Sequence, residues 1–315
     1  MKIFWVVFFR TKKFHEILIR ALKSRATLCE TLWLNLLLLP LIVLIFFCSC
    51  VKRDVAPDVA LKAQSERIVS LVPAVTEILF AIGAGDKVVG VTEYCDYPPE
   101  AKSRTSVGGF SGATVSVDQI HLLEPDLVLL SADMHERIVA ILNELGIPTF
   151  TVEPRNFSQV YRTIAVIGEL TGCIAGAEKV ISEMKNKIEV VEECVEGMER
   201  PAVFWILSEN PLMSAGAETF ISEAIWLAGG RNIFAELKEQ WPMVSPEQVL
   251  LRKPDWILIG DDIGKTAAFL AANPLWQNIP AVREGRVAVI DSGLFYRYGP
   301  RLSDGVECIA RILHP

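Results

Sequence analysis

Hydrophobic and polar positions along this chain fall into blocks, and the blocks come twice. Ile120–Leu130 reads IHLLEPDLVLL and Val249–Gly260 reads VLLRKPDWILIG. Each is an apolar-faced helix, a charged residue, Pro-Asp, and then a run of strand-forming residues. A second matching block lies ahead of each: Ser70–Gly83 (SLVPAVTEILFAIG) and Leu207–Gly230 (LSENPLMSAGAETFISEAIWLAGG). Both pass from a strand through a polar loop into an amphipathic helix that ends at Gly. Repetition on this scale predicts an α/β fold of two similar lobes with a ligand cleft between them.

Within the first lobe, strand patterns occur at Ile68–Leu71, Val88–Val91, Leu127–Leu130 and Thr149–Val152, alternating with helical stretches. That alternation predicts mostly parallel central sheets covered by helices. Residues 157–196 carry no strand pattern. Val180, Met184, Ile188 and Val191 recur at helical spacing, while Gly172 and Gly176 interrupt the run, so a short helix and then a long one near 176–196 are expected. A long rigid helix would join the lobes stiffly. The second lobe starts at Ala202–Leu207, continues through a helix near Ser222–Leu227 and strands at Trp256–Ile259 and Val287–Ile290, and closes on a helix from about Ser303 to Leu313. The expected organisation is a leader at 1–50, a tether at 51–66, an N-terminal lobe at 67–156, linking helices at 157–197 and a C-terminal lobe at 198–315.

The leader changes the charge picture. Leu34–Phe47 is an uncharged apolar run of signal-peptide length, followed by Cys48-Ser49-Cys50 and a polar stretch. A small residue directly before Cys, after such a run, resembles a bacterial lipoprotein processing site, with Cys50 as the residue that takes lipid; the alternative is a retained anchor. The first 50 residues hold seven of the 31 basic and two of the 38 acidic residues, leaving 24 and 36 beyond them, a net −12. A body so acidic argues against nucleic-acid binding. Export permits disulfides, but Cys95, Cys173, Cys194 and Cys308 show no C-x-x-C spacing, so zinc and redox chemistry have no support.

Catalysis is poorly supported too. Beyond the leader the His residues are His121, His135 and His314, none spaced for a triad, and His135 reads as a solvated surface residue. Gly108–Gly112 is Gly-rich but lacks the Lys of a phosphate loop, and fits better as a loop presenting Phe110. Aromatic residues instead collect in turns: Tyr94 and Tyr97 after a strand, Phe110 in the next loop, Trp241 after a charged helix end, and the run Phe295-Tyr296-Arg297-Tyr298 after the strand Val287–Ile290. Loops at the carboxyl ends of strands line the crevice of α/β sheets. There, rings give apolar contact and an Arg pairs with an anionic group. Tyr97, ahead of Pro98-Pro99, is expected to pack in the core.

The order RIVSLVPAVTEILFAIGAGDKVVGVTEYCDYPPEAK, then VGGF, then LLEPDLVLL resembles the helical-backbone periplasmic binding proteins. Those are the substrate receptors of ABC importers for cobalamin, ferric siderophores and haem. The resemblance covers residues 67–313. SLVPAVTE, DYPPEA, WPMVSPEQVL, GGRNIF and RYGPRL are nearest to the cobalamin branch. It implies ligand contacts at Tyr94, Phe110, Trp241, Phe295 and Arg297, and permease docking through Asp118 and Glu247, each at the start of a PD-ending helix. The chain departs from that branch at Ser131, where an aromatic is expected, and near Gly293, where an Asp is. The branch's disulfide partner for Cys308 is Ala228 here.

The resemblance implies a periplasmic or cell-surface lipoprotein, a monomer, without catalysis or cofactor, carrying a corrinoid to a permease and its ATPase. Haem, with Tyr94 as axial ligand, or a ferric siderophore, held by Arg297 and Arg155, are the other cargoes. A non-transport sensor and an exported enzyme are further alternatives. Three His are too few for a bare-metal receptor.

Overall fold

The computed structural model describes residues 64–263, 270 and 274–315. The leader, Cys50 and most of the tether lie outside the described residues. A five-stranded sheet runs in the order β3-β2-β1-β4-β5, from β1 (Ile68–Ser70), β2 (Val88–Val91), β3 (Thr105–Ser106), β4 (Leu127–Ser131) and β5 (Thr149–Val152), with every pairing parallel. Helices α1 (Pro73–Ala81), α2 (Val117–Leu122) and α3 (Glu136–Glu144) are its crossovers. The second sheet, again all parallel, runs β11-β10-β6-β9, from β6 (Ala202–Ile206), β9 (Arg231–Asn232), β10 (Trp256–Gly260) and β11 (Val287–Ile290). A small hairpin of β7 (Ser208–Glu209) and β8 (Leu212–Met213) follows β6.

The order β2-β1-β4-β5 therefore recurs as β9-β6-β10-β11, the two lobes that the repeated blocks predict. Both repeats solve one local problem identically. Helix α2 and its counterpart α7 (Pro246–Arg252) are capped by Ser116 and Ser245, each accepting from a Gln amide three residues on. Each then ends at a non-glycine residue with positive φ, Glu124 at 45° and Lys253 at 46°. A side chain there costs about 1 kcal/mol, offset by the turn that follows. The Asp after each Pro folds back on the start of the lobe's first strand. Asp126 accepts from the Glu66 and Arg67 amides at 2.8 and 3.1 Å, and Asp255 from the Ala202 amide at 2.7 Å.

Between the sheets, α4 (Phe157–Thr171) and α5 (Ile174–Val195) form the spine. Asn156 caps α4, and Gly172 ends it in the left-handed region at φ 72°. Gly176 does not interrupt the second helix as its spacing suggests: it lies in the first turn of α5, where a Cβ would stand 2.0 Å from the Ile82 carbonyl oxygen. Close approach of the spine to the end of α1 requires a glycine there. The buried face of α5 (Ala177, Val180, Met184, Ile188, Val191, Val195) belongs to one apolar cluster with Val75 and Ile78 of α1. The same cluster takes in Ile221 and Ile225 of α6 (Phe220–Leu227) and Val306 and Ile309 of the last helix. That last helix spans Leu302–Leu313 and follows the short α8 (Pro280–Arg283), so we label it α9.

Candidate functional site

In each sheet the chain leaves the first strand to one side and later returns to the other, so a crevice opens at the strands' carboxyl ends. The first lobe supplies a wall of rings. Tyr94 follows β2 and is 58% exposed; its ring meets Phe110 edge-on at 6.0 Å, and Phe110 meets His135 at 6.3 Å. Beneath Tyr94, Cys95 is buried among hydroxyls: Thr76 Oγ1 lies 3.1 Å from its Sγ and 2.8 Å from Ser70 Oγ. That thiol anchors the turn under Tyr94 and does not face the crevice.

Phe110 is held by backbone geometry. Gly108 has φ 110°, and a Cβ on it would lie 2.3 Å from the Thr114 carbonyl oxygen, so only glycine fits there. The second restraint comes from His135. It is fully buried, a correction to the solvated residue its polar neighbours suggest. Its Nδ1 accepts from the Ser131 amide at 3.1 Å, so Nε2 bears the proton and donates to the Phe110 carbonyl at 2.9 Å. Protonation would remove the Nδ1 acceptor. Burial lowers the His135 pKa, and the hydrogen bond to the Phe110 carbonyl only partly opposes that.

Near pH 6.5 the unfolded chain takes up a proton that the folded site resists, so the contribution is intact above that value and is lost as pH falls toward the depressed folded value. The melting temperature should therefore fall more between pH 7 and pH 5 in the wild type than in His135→Gln. Parallel curves would show that His135 titrates as freely folded as unfolded.

The second lobe supplies a ring cluster of its own. Trp241, 36% exposed, meets Phe220 edge-on at 6.2 Å, and Phe220 meets Tyr298 at 6.5 Å. The Trp241 segment is pinned by Gly216, which donates to the Gln240 carbonyl at 2.8 Å and approaches too closely for a side chain. A depression of about 150 Å³ is lined by Glu153, Arg155, Phe220, Trp241, Tyr296 and Tyr298 among others, drawn from both sides of the crevice. Through Arg155, Glu218 and Thr219 it adjoins a larger polar hollow of about 700 Å³ that reaches Trp226. Burial, and secondarily the charge of Glu153, drives the Tyr298 phenol pKa far up, so it remains a neutral hydroxyl.

Of the residues expected to meet ligand, Tyr94, Phe110 and Trp241 lie at these walls. Phe295 does not: it is 0% exposed and packs edge-on against Trp205 at 4.8 Å. It closes a short 3-10 turn (Ser292–Leu294) that aims it inward, while Tyr296 and Tyr298 line the depression in its stead. Adjacent aromatics in an irregular segment carry no periodicity to tell them apart. Arg297 bridges the lobes, donating to Asp96 Oδ1 at 2.6 Å and to the Tyr94 carbonyl at 3.4 Å. Tyr97 is exposed rather than packed in the core, with the Arg301 guanidinium 3.7 Å over its ring. Asp118 and Glu247 are both exposed, each second in its helix after the capping Ser. The Ser245 hydroxyl holds the Glu247 carboxyl below its ordinary pKa. Cys95, Cys173, Cys194 and Cys308 are all free thiols.

A sequence profile described as "Periplasmic binding protein" matches residues 68–294. The uncharacterized ABC transporter substrate-binding lipoprotein YvrC of Bacillus subtilis is 35% identical over 266 residues, covering 82% of this chain and 83% of YvrC. The periplasmic vitamin B12 binding protein BtuF of Vibrio cholerae superposes with a TM-score of 0.70 at 29% identity, over 79% of this chain and 96% of that one. The periplasmic heme-binding protein RhuT of Roseiflexus sp. RS-1, in apo form, superposes with a TM-score of 0.69 at 26% identity, over 79% and 98%.

Proposed function

This chain belongs to the periplasmic binding protein family, and we propose that it is the extracytoplasmic receptor handing a corrinoid of the cobalamin class to an ABC import permease. Such a receptor binds and releases without chemistry. The observation that carries the corrinoid reading is that each lobe presents a cluster of rings, Tyr94 and Phe110 on one and Trp241, Phe220 and Tyr298 on the other, the second lining a depression that also takes in Glu153 and Arg155 of the first half of the chain. The flat faces of a corrin macrocycle suit such rings, with affinity from ring burial and a few polar contacts to its peripheral amides. The likeness to BtuF supports the same ligand. Asp118 and Glu247, exposed at equivalent helix starts of the two lobes, are the matched acidic points that a permease with two basic pockets would grip. We assign lipidation to Cys50 and read the receptor as a monomer tethered at the membrane.

Calorimetric titration with cyanocobalamin tests the reading. One-to-one binding at micromolar or tighter, about −8 kcal/mol or better, is expected. Phe110→Ala and Trp241→Ala should each weaken it about ten- to a hundredfold. Asp118→Lys with Glu247→Lys should leave that affinity intact and abolish uptake in cells, because like charges across the dock repel. Haem is the second reading, favoured by the likeness to RhuT and by the exposed Tyr94, whose phenol could ligate iron. Haemin binding without cobalamin binding would select it.

A further inference from the structure

We infer that Asp96 sets the charge class of the cargo, so that the crevice takes uncharged or cationic ligands and rejects anionic chelates. The inference rests on the crevice between the lobes being the ligand site. Arg297 stands in sequence between Tyr296 and Tyr298, both of which line the depression. Its side chain is only 19% exposed and is spent on the first lobe: Nη2 donates to Asp96 Oδ1 at 2.6 Å and to the Tyr94 carbonyl at 3.4 Å. Arg301 is spent likewise on Glu77. Among the described residues, the ionisable carboxylates and cations that line the depression are then Glu153, Glu218 and Arg155. Glu153 is held in place by the Ser131 hydroxyl, which donates to Oε2 at 2.8 Å.

Two carboxylates against one guanidinium leave the depression anionic, and walls of low dielectric strengthen that field. A ligand bearing carboxylates meets this repulsion and must also compete with Asp96 for Arg297. An uncharged ligand meets neither obstacle. Discrimination thus comes from a repulsive element beside the attractive rings. Partial burial opposes ionisation of Asp96, but the hydrogen bond and charge of Arg297 outweigh it and hold the carboxyl below its ordinary pKa, so the pair stays charged at neutral pH.

Asp96→Asn frees the Arg297 charge while keeping the side chain's size. The full chain and this variant are titrated with cyanocobalamin, which has no net charge, and with haemin and ferric citrate, which are anionic, from 50 to 500 mM salt. The ratio of anion to cobalamin affinity should rise at least tenfold in Asp96→Asn. Raising salt should strengthen the wild type's weak anion binding and weaken the variant's, since screening removes repulsion in one and attraction in the other. Asp96→Asn combined with Arg297→Gln should lose the gain. Anion binding gained by the variant without cobalamin binding to either protein would overturn the corrinoid reading and uphold the charge inference. Haemin binding that is tight in the wild type and unmoved by Asp96→Asn would overturn the inference and leave the receptor reading standing. Absence of binding by all three probes to both proteins would overturn both.

Discussion

Replacing Glu77 with alanine is expected to lower the stability of the protein by about 3–5 kcal/mol, the cost of breaking a buried ion pair from one side. Glu77 sits on α1 with 2% of its side chain exposed, and both its oxygens are used: Arg301 Nε donates at 2.8 Å and Nη2 at 3.0 Å. Arg301 precedes α9 in the second lobe, is 20% exposed, and stacks on Tyr97. Without the carboxylate, a guanidinium is left half-buried between the lobes with only a long bond to the Gly293 carbonyl, at 3.5 Å. The loss corresponds to a melting temperature lower by roughly 6–20 °C. Chemical denaturation of Glu77→Ala, Arg301→Ala and the double variant gives the coupling, and the double should cost less than the two singles together. A cost under about 1 kcal/mol for Glu77→Ala would mean that water reaches the pair as it reaches surface pairs. Lys179–Glu183, exposed on the spine, is such a surface pair and should contribute only a few tenths of a kcal/mol.

Phe295→Ala should cost a similar amount, about 3–5 kcal/mol, for a different reason: the cavity left by a fully buried ring. The ring touches Trp205 and fills the space over Gly305, where a Cβ would come within 2.8 Å of it. Neither neighbour can swing into the void. Ligand affinity per folded molecule should change far less than in Trp241→Ala, because Phe295 faces the core. Denaturation and titration of the same variant separate the two roles. Unchanged stability with lost binding would return the ring to the ligand site.

The fold was legible because its most informative segments are locally strong. Pro-Asp after a short capped helix dictates a turn, and Leu127–Leu130 of β4 and Ala202–Ile206 of β6 make continuous buried apolar runs that only a covered parallel strand explains. Thr105–Ser106 and Arg231–Asn232 could not be read, since two-residue edge strands of polar side chains leave no period. The ring walls were half legible. Tyr94, Phe110 and Trp241 follow strands or a hairpin, and position alone suggested them. His135 was misread because its neighbours are polar while its burial is imposed from a distance, by the loop carrying Phe110. The pairing of Arg297 with Asp96 joins residues from opposite lobes, and no local pattern announces a partner so far along the chain.

The spine belongs to both lobes. Its inner face is core for both sheets at once, so each lobe completes its interior with residues the other also uses. A chain built by repeating one unit would be expected to shed a copy as readily as it gained it. Here the join closed that route: deleting either copy would strip half the cover from α5, leaving Val180, Met184, Ile188 and Val191 facing water. The two repeats are therefore mutually dependent: neither lobe has a complete interior without the other.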